Sequence, residues 1–123
     1  MKNESDDLVE DGFIVEAKGP GGLVGVFEDD GETGYLYIYE PDGQGVANHL
    51  RIYVRTPALD VSESDVQVEW SDSLNKCGVR IWGKLRGIID LSTKQEGRVL
   101  LENRDTPGIG DPKWLEGFIA KQS

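Results

Sequence analysis

The sequence predicts a mainly β fold, either an antiparallel curved sheet or a β-sandwich of about six to seven strands, with a short C-terminal helix. Short runs rich in Val, Ile and Tyr recur between clusters of Gly, Pro and Asp, as in successive hairpins. Near the C-terminus the apolar residues fall instead at helical spacing. Because 123 residues suffice for one core, we expect a single globular domain over residues 12–123, preceded by an acidic flexible tail over residues 1–11.

The first part of the domain predicts three strands. Residues 12–17 and 23–28 are β-rich runs separated by KGPGG, whose glycines and proline suit a tight reversal. The Asp-Gly step of DDGETG is a strong turn signal and leads into a third strand over residues 34–40. In that strand three tyrosines share one face, and Leu36 and Ile38 share the other.

The run HLRIYVRTP predicts a fourth strand by its alternation. Leu50, Ile52 and Val54 are expected on one face, with His49, Arg51, Tyr53 and Arg55 on the other.

The second part of the domain predicts another set of antiparallel strands after a polar loop over residues 59–65. Residues 66–70, 77–83 and 85–91 form three β-rich runs, and residues 98–103 are expected to add one more.

The chain is expected to end in a short amphipathic helix. Asp111 is suited to the N-cap and Pro112 to the first helical position. Gly117 weakens this helix by about 1 kcal/mol relative to alanine. The apolar side consists of Trp114, Leu115, Phe118 and Ile119.

The formal net charge is −10, and it is concentrated in the first part of the chain. Residues 1–72 hold 17 acids and four bases, whereas residues 73–123 hold six acids and nine bases. Such a field repels nucleic acid and anionic membrane surfaces and attracts basic proteins. We therefore expect a basic protein partner, and neither nucleic acid nor a membrane.

The sequence also predicts a cytoplasmic location. No stretch approaches the roughly 18 consecutive apolar residues of a membrane helix. The first eleven residues contain five acids and lack the basic start and apolar middle of a secretory signal. The single cysteine, Cys77, cannot form an internal disulfide, which favours a reducing compartment.

Several segments together resemble a family of small uncharacterised bacterial proteins, domain of unknown function 2251. The segments are DDGETGYLYIYE, HLRIYV, VEW and CGVRIWGKLRGIIDL, followed by a tryptophan near the end, and the resemblance extends over roughly Val24 to Phe118. It rests on Thr33, Gly34, Tyr35, His49, Tyr53, Trp70, Asp90 and Trp114. Arg86 and Gly87 stand where the family has a His-Ala type of dipeptide, so a histidine role there does not transfer. The resemblance implies a fold and a bacterial origin, and it supplies no catalytic residue.

The acidic turn could be read as a metal loop, because Glu28, Asp29, Asp30 and Glu32 offer several oxygen ligands. An EF-hand loop, however, requires acids at alternating positions and a glutamate at its twelfth position, and EDDGETGYLYIY has neither. We predict a hairpin with solvated carboxylates, and neither a metal nor a cofactor.

Catalytic chemistry has little support in the sequence. His49 is the only histidine and Cys77 the only cysteine, so a Cys-His dyad is arithmetically possible. Both residues nevertheless fit ordinary strand positions. The glycine-rich KGPGGLVG lacks the GK[ST] ending of a phosphate loop and precedes a strand, where a helix is required. We expect that the protein is not an enzyme.

The leading hypothesis is an acidic cytoplasmic binding protein, most concretely an immunity protein. Such proteins neutralise a basic toxin domain, often a nuclease, of a contact-dependent or polymorphic toxin system by direct binding, and this chain is similar to them in size and charge. Acids would steer the toxin and tyrosines would anchor it, provided that the tyrosines are exposed and do not pack in the interior. The expected contact residues are Glu28, Asp29, Asp30, Glu32, Tyr35, Tyr37, Tyr39, Glu40 and Asp42, with Asp60, Glu63 and Asp65 of the next acidic loop as the alternative region.

The rival hypothesis is an enzyme or small-ligand-binding protein that uses the concave face of the sheet around His49. Tyr53, Trp70 and Trp82 would complete the lining of its pocket.

Overall fold

The fold is mainly β, as predicted, and consists of two antiparallel four-stranded sheets that pack against each other. The computed structural model describes residues 12–41 and 45–118; the predicted N-terminal tail, Asp42 and Ile119 lie outside the described residues. The first sheet contains β1 (Phe13–Lys18), β2 (Val24–Asp29), β3 (Thr33–Glu40) and β4 (Gly45–Val54), and the second contains β5 (Val66–Trp70), β6 (Lys76–Ile81), β7 (Lys84–Asp90) and β8 (Gln95–Arg98). In both sheets the strands lie side by side in chain order.

The turn between β2 and β3 is built by its own carboxylates. Gly31 has a φ of 98°, which favours glycine, and its amide donates to Oδ1 of Asp29 at 2.8 Å. Oδ1 of Asp30 accepts from the amides of Glu32 and Thr33, both at 2.9 Å. These bonds are the reason that a sequence so rich in like charges turns sharply here.

The core lies between the two sheets. Each sheet contributes apolar side chains from alternate positions of its strands, and two loops close the ends with Leu59, Val61 and Leu101. The sheets approach closely at Gly25, where a Cβ would lie 2.3 Å from Sγ of Cys77. The fully buried strand residues of this core include Phe27, Leu36, Ile38, Ile52, Tyr53, Cys77, Val79, Ile81 and Ile89.

The predicted alternation of β4 is wrong at its end. Ile52 and Tyr53 are both fully buried, whereas Val54 is 48% exposed. The pairing with β3 shifts between Gly34 and Tyr35, so that the bulge turns Tyr53 inward. The simple alternation of apolar and polar residues in the sequence does not reveal this extra residue.

The last predicted strand is also displaced. β8 ends at Arg98, whereas residues 98–103 were expected to be extended. Leu101 is buried nonetheless, and its amide donates to the carbonyl of Ile52 at 2.9 Å. The segment after β8 therefore closes the core as a loop.

The C-terminal helix, α1 (Pro112–Leu115), spans a single turn. The side chain of Asp111 accepts from the amide of Lys113 at 2.9 Å, which confirms the predicted N-cap. The helix stops before Gly117, whose φ is 89°. Trp114 packs over Gly97 of β8, so this segment covers the outer face of the second sheet.

Candidate functional site

The tyrosine stripe lies on the outer face of the first sheet. Tyr35, Tyr37 and Tyr39 alternate with the buried Leu36 and Ile38, and Tyr39 is 43% exposed. Other residues on this face, among them Ile14, Glu16, Lys18 and Arg51, are exposed as well. We call the surface around the three tyrosines the tyrosine face. Of the two arrangements that the sequence leaves open, the structure therefore shows the one in which the stripe lies on the outside of the sandwich, with Tyr35 and Tyr37 half-buried.

The rings of the tyrosine face are held in place by their neighbours. The hydroxyl of Tyr37 donates to Oε1 of Glu28 on the adjacent strand at 2.9 Å. Partial burial and this carboxylate raise the pKa of Tyr37 to about 12. The ring of His49 lies 4.8 Å from that of Tyr37 and meets the ring of Tyr35 edge-on at 5.8 Å. The aromatic surface is thus partly ordered before any partner binds.

Asp29 is the one predicted contact residue that the structure removes from the described surface. Its carboxylate is buried, accepts from the hydroxyl of Tyr53 and lies 2.9 Å from Nε of Arg55. With the amide of Gly31 as a further donor, the carboxylate is fully engaged inside the protein. Asp29 therefore supports the turn and does not project from it.

Arg55 connects the hairpin tip to the second acidic loop. Its amide donates to the carbonyl of Glu32 at 2.6 Å, and its Nη2 donates to the carbonyl of Val61 at 2.9 Å. Nη1 lies 3.6 Å from the carboxylate of Asp60, which is 89% exposed. The two acidic regions that the sequence offers as alternatives therefore meet at the same end of the sandwich. We call this surface the acidic end; it comprises Asp30, Glu32, Asp60, Glu63 and Asp65.

Local hydrogen bonds keep two carboxylates of the acidic end charged. The amides of Thr33 and Glu32 lower the pKa of Asp30. For Asp65, burial acts to raise the pKa, but hydrogen bonds from the amide and hydroxyl of Ser62 contribute to a net lowering. Glu40 does not belong to this group, because it lies at the opposite end of β3.

A groove of about 500 Å³ borders the tyrosine face at the edge formed by β4 and β8. Its lining combines Tyr35, His49, Leu50 and Arg51 with Glu96 and Arg98. Arg98 donates through Nη1 to the carbonyl of Arg51. Sequence reasoning missed this cluster because its two halves are 47 residues apart and pair only through the packing of the two sheets.

The pocket of the rival hypothesis is not assembled. Tyr53 is buried in the core, and Trp70 lies at the other edge of the sandwich, where its Nε1 donates to the carbonyl of Ala17 at 3.0 Å. Trp82 follows β6 and lies under the guanidinium of Arg104, 4.4 Å from its ring. Among these four residues only His49 lines the β4–β8 groove.

The structure bears on two kinds of site considered from the sequence, a Cys-His dyad and a metal site. Burial raises the pKa of the Cys77 thiol to about 12, and this side chain faces the core whereas His49 lies on the outer face. Within the described ranges, no three His, Cys, Asp or Glu side chains are grouped so that they could hold a metal ion. None of the helices in the described residues is both long and apolar enough to cross a membrane.

Comparison with known families gives one match. The model of a family described as an uncharacterized protein conserved in bacteria (DUF2251) matches residues 10–99. The match begins before Val24 and stops short of Phe118, so Trp114 is not part of it. No curated protein and no solved structure matches the chain.

Proposed function

The chain belongs to this bacterial family, DUF2251, and we propose that it is an acidic binding protein for a basic protein partner. In its most specific form, the proposal is that the partner is the toxin domain of a contact-dependent or polymorphic toxin system. The protein then acts as the immunity protein that neutralises this toxin by direct binding.

One observation carries the proposal: the acidic end and the tyrosine face adjoin on the same hairpin. Asp30 and Glu32 occupy the turn between β2 and β3, and Tyr35 is the third residue of β3. Charged groups speed association and select the partner, whereas partly buried aromatic rings supply most of the binding energy. The hairpin presents both kinds of group side by side.

The mechanism follows from the chemistry of a nucleic-acid-cleaving toxin. Its Lys and Arg side chains hold phosphates, and the acidic end offers carboxylates to the same side chains. Asp60 and Glu63 extend this negative surface beyond the hairpin tip, since Arg55 holds the two loops together. When this protein occupies the basic surface of the toxin, nucleic acid can no longer bind there.

Binding kinetics against a basic toxin domain proposed as the partner test the contribution of the acidic end. The double variant Asp30→Asn, Glu32→Gln should associate about tenfold more slowly at low salt and lose much of the salt dependence. The matched control Asp72→Asn, Glu116→Gln removes two exposed acids from the opposite end of the sandwich and should associate like the wild type. Equal association rates for the two double variants would contradict the role of the acidic end.

Dissociation tests the aromatic part. Tyr39→Ala should speed dissociation by about tenfold, because exposed tyrosines act as anchors at interfaces. Leu100→Ala is the control, since Leu100 is also 43% exposed but lies in the loop after β8. In cells, the toxin domain proposed as the partner should kill only in the absence of this protein; equal death with and without this protein would exclude the immunity function.

A further inference from the structure

We propose that the groove between β4 and β8 binds a small molecule that carries an oxyanion, a carboxylate or phosphate group, on a planar ring. This binding site is separate from the acidic end and does not depend on the proposed basic partner. The inference rests on two guanidinium groups and an aromatic wall, which the packing of the two sheets brings together.

The charge of the groove is the first argument. Arg51 and Arg98 both line it, and the hydrogen bond from Arg98 to the carbonyl of Arg51 keeps the two residues together. Among the described residues, no carboxylate forms an ion pair with either guanidinium. Glu96 contributes one negative charge against these two positive charges. An oxyanion bound in this groove would accept charge-assisted hydrogen bonds from the two guanidinium groups.

The aromatic wall is the second argument. Tyr35 and His49 line the same groove, with their rings nearly perpendicular at 82° and 5.8 Å apart. Planar groups pack favourably against such rings, and the hydroxyl and imidazole add polar atoms that can bond to an anion. The volume of about 500 Å³ falls in the range of small-molecule sites.

The negative charge of the rest of the protein favours binding of an anion at this groove over other parts of the surface. The chain is strongly acidic as a whole, so an anion is repelled from most of its surface. The pair of arginines that lines this groove therefore provides a local positive region that an anion can approach. The ligand must be small because Glu96 and the acidic surface would oppose an extended polyanion such as nucleic acid.

Titrations followed by nuclear magnetic resonance test the site with four probes: phenyl phosphate, benzoate, inorganic phosphate and phenol. Phenyl phosphate or benzoate should shift the side-chain signals of Arg51, Arg98 and His49. Inorganic phosphate should shift the arginine signals more weakly, and phenol should not shift them. Binding of phenol as tight as that of the charged ring compounds would overturn the oxyanion assignment, and equal affinity for inorganic phosphate would overturn the role of the rings.

Variants locate the binding. Arg51→Gln and Arg98→Gln should each weaken binding by about tenfold, the effect of one lost charge-assisted hydrogen bond. Both side chains are exposed, so the fold should tolerate their replacement. The matched control is Lys18→Gln, which removes a positive charge from the opposite edge of the same sheet and should leave the affinity unchanged. Equal losses in all three variants, or no shift with any charged probe, would refute the site while leaving the proposed protein partner untouched.

Discussion

The hydroxyl of Tyr53 donates a hydrogen bond to the carboxylate of Asp29, and this contact ties β4 to the tip of the hairpin formed by β2 and β3. Both side chains are buried. Burial and the bond to Asp29 raise the pKa of Tyr53, so the hydroxyl remains a donor across the physiological range. The acidic end therefore contains a buried carboxylate, that of Asp29, whose negative charge is stabilised by its hydrogen-bond donors.

Tyr53→Phe should lower the free energy of unfolding by about 1–3 kcal/mol, because it removes one donor from a buried carboxylate. Urea denaturation measures this change. Tyr39→Phe is the control, since Tyr39 is exposed, and its effect should stay within about 0.5 kcal/mol. Equal stability of the two variants would show that the contact with Asp29 contributes nothing.

Acid should destabilise the protein through carboxylates that are bonded only in the folded state. Hydrogen bonds lower the pKa of Asp30; for Asp90, burial acts to raise the pKa, but bonds from Ser92 and Thr93 contribute to a net lowering. Since both folded-state pKa values lie below the ordinary value of 3.8, their stabilisation is present above pH 3.8 and is lost as the pH falls through the folded values.

Denaturation from about pH 6 to about pH 2 should accordingly show a smaller loss of stability in Asp90→Asn than in the wild type. Glu102→Gln, at an exposed position, serves as the control. An unchanged pH dependence in Asp90→Asn would argue against this account.

Alkali should reveal the bond between Tyr37 and Glu28. The ultraviolet difference between wild type and Tyr37→Phe should show ionisation centred near pH 12, and Glu28→Gln should move it toward the ordinary value of 10.0. Because the folded-state pKa is raised, the stabilisation by Tyr37 is complete below pH 10.0 and is lost as the pH rises toward 12. Ionisation of Tyr37 at pH 10.0 in the native protein would contradict the contact.

The Cys77 thiol should be inert in the native protein. It is fully buried between the sheets, and burial raises its pKa to about 12, so little thiolate forms at neutral pH and reagents cannot reach it. A disulfide reagent at about pH 8 should react only after unfolding in urea. Rapid reaction without denaturant would show that the sheets separate more readily than this packing implies.

Lys76 should hold the C-terminal segment on the second sheet. Its Nζ donates to the carbonyls of Lys113 and Glu116 at 2.9 and 3.0 Å. Lys76→Met removes these bonds and should speed hydrogen exchange at the amide of Asp72, which bonds to Gly117, by about tenfold or more. The internal control is exchange at the amide of Leu101, which donates to the carbonyl of Ile52 in the first sheet. Lys84→Met, at an exposed position, should change neither amide.

Much of the local structure could be read from the sequence because it depends on neighbouring residues. The Asp-Gly turn, the strand over residues 34–40 and the cap at Asp111 all follow from short-range backbone preferences and hydrogen bonds. Strand ends were less predictable. The bulge that turns Tyr53 inward depends on the register against β3, which no local pattern encodes.

The candidate site likewise combines features that the sequence specifies with features that depend on the packing of the two sheets. The sequence by itself determined its ingredients, namely acids in the turn and tyrosines at every second position of the next strand. Only the tertiary structure decided that the tyrosines face outward, that Asp29 is buried, and that Arg51 and Arg98 share a groove. Alternation defines two faces of a strand, but which face is buried depends on the second sheet, whose residues lie far along the chain. Burial and the meeting of distant charges are thus properties of the packed sandwich.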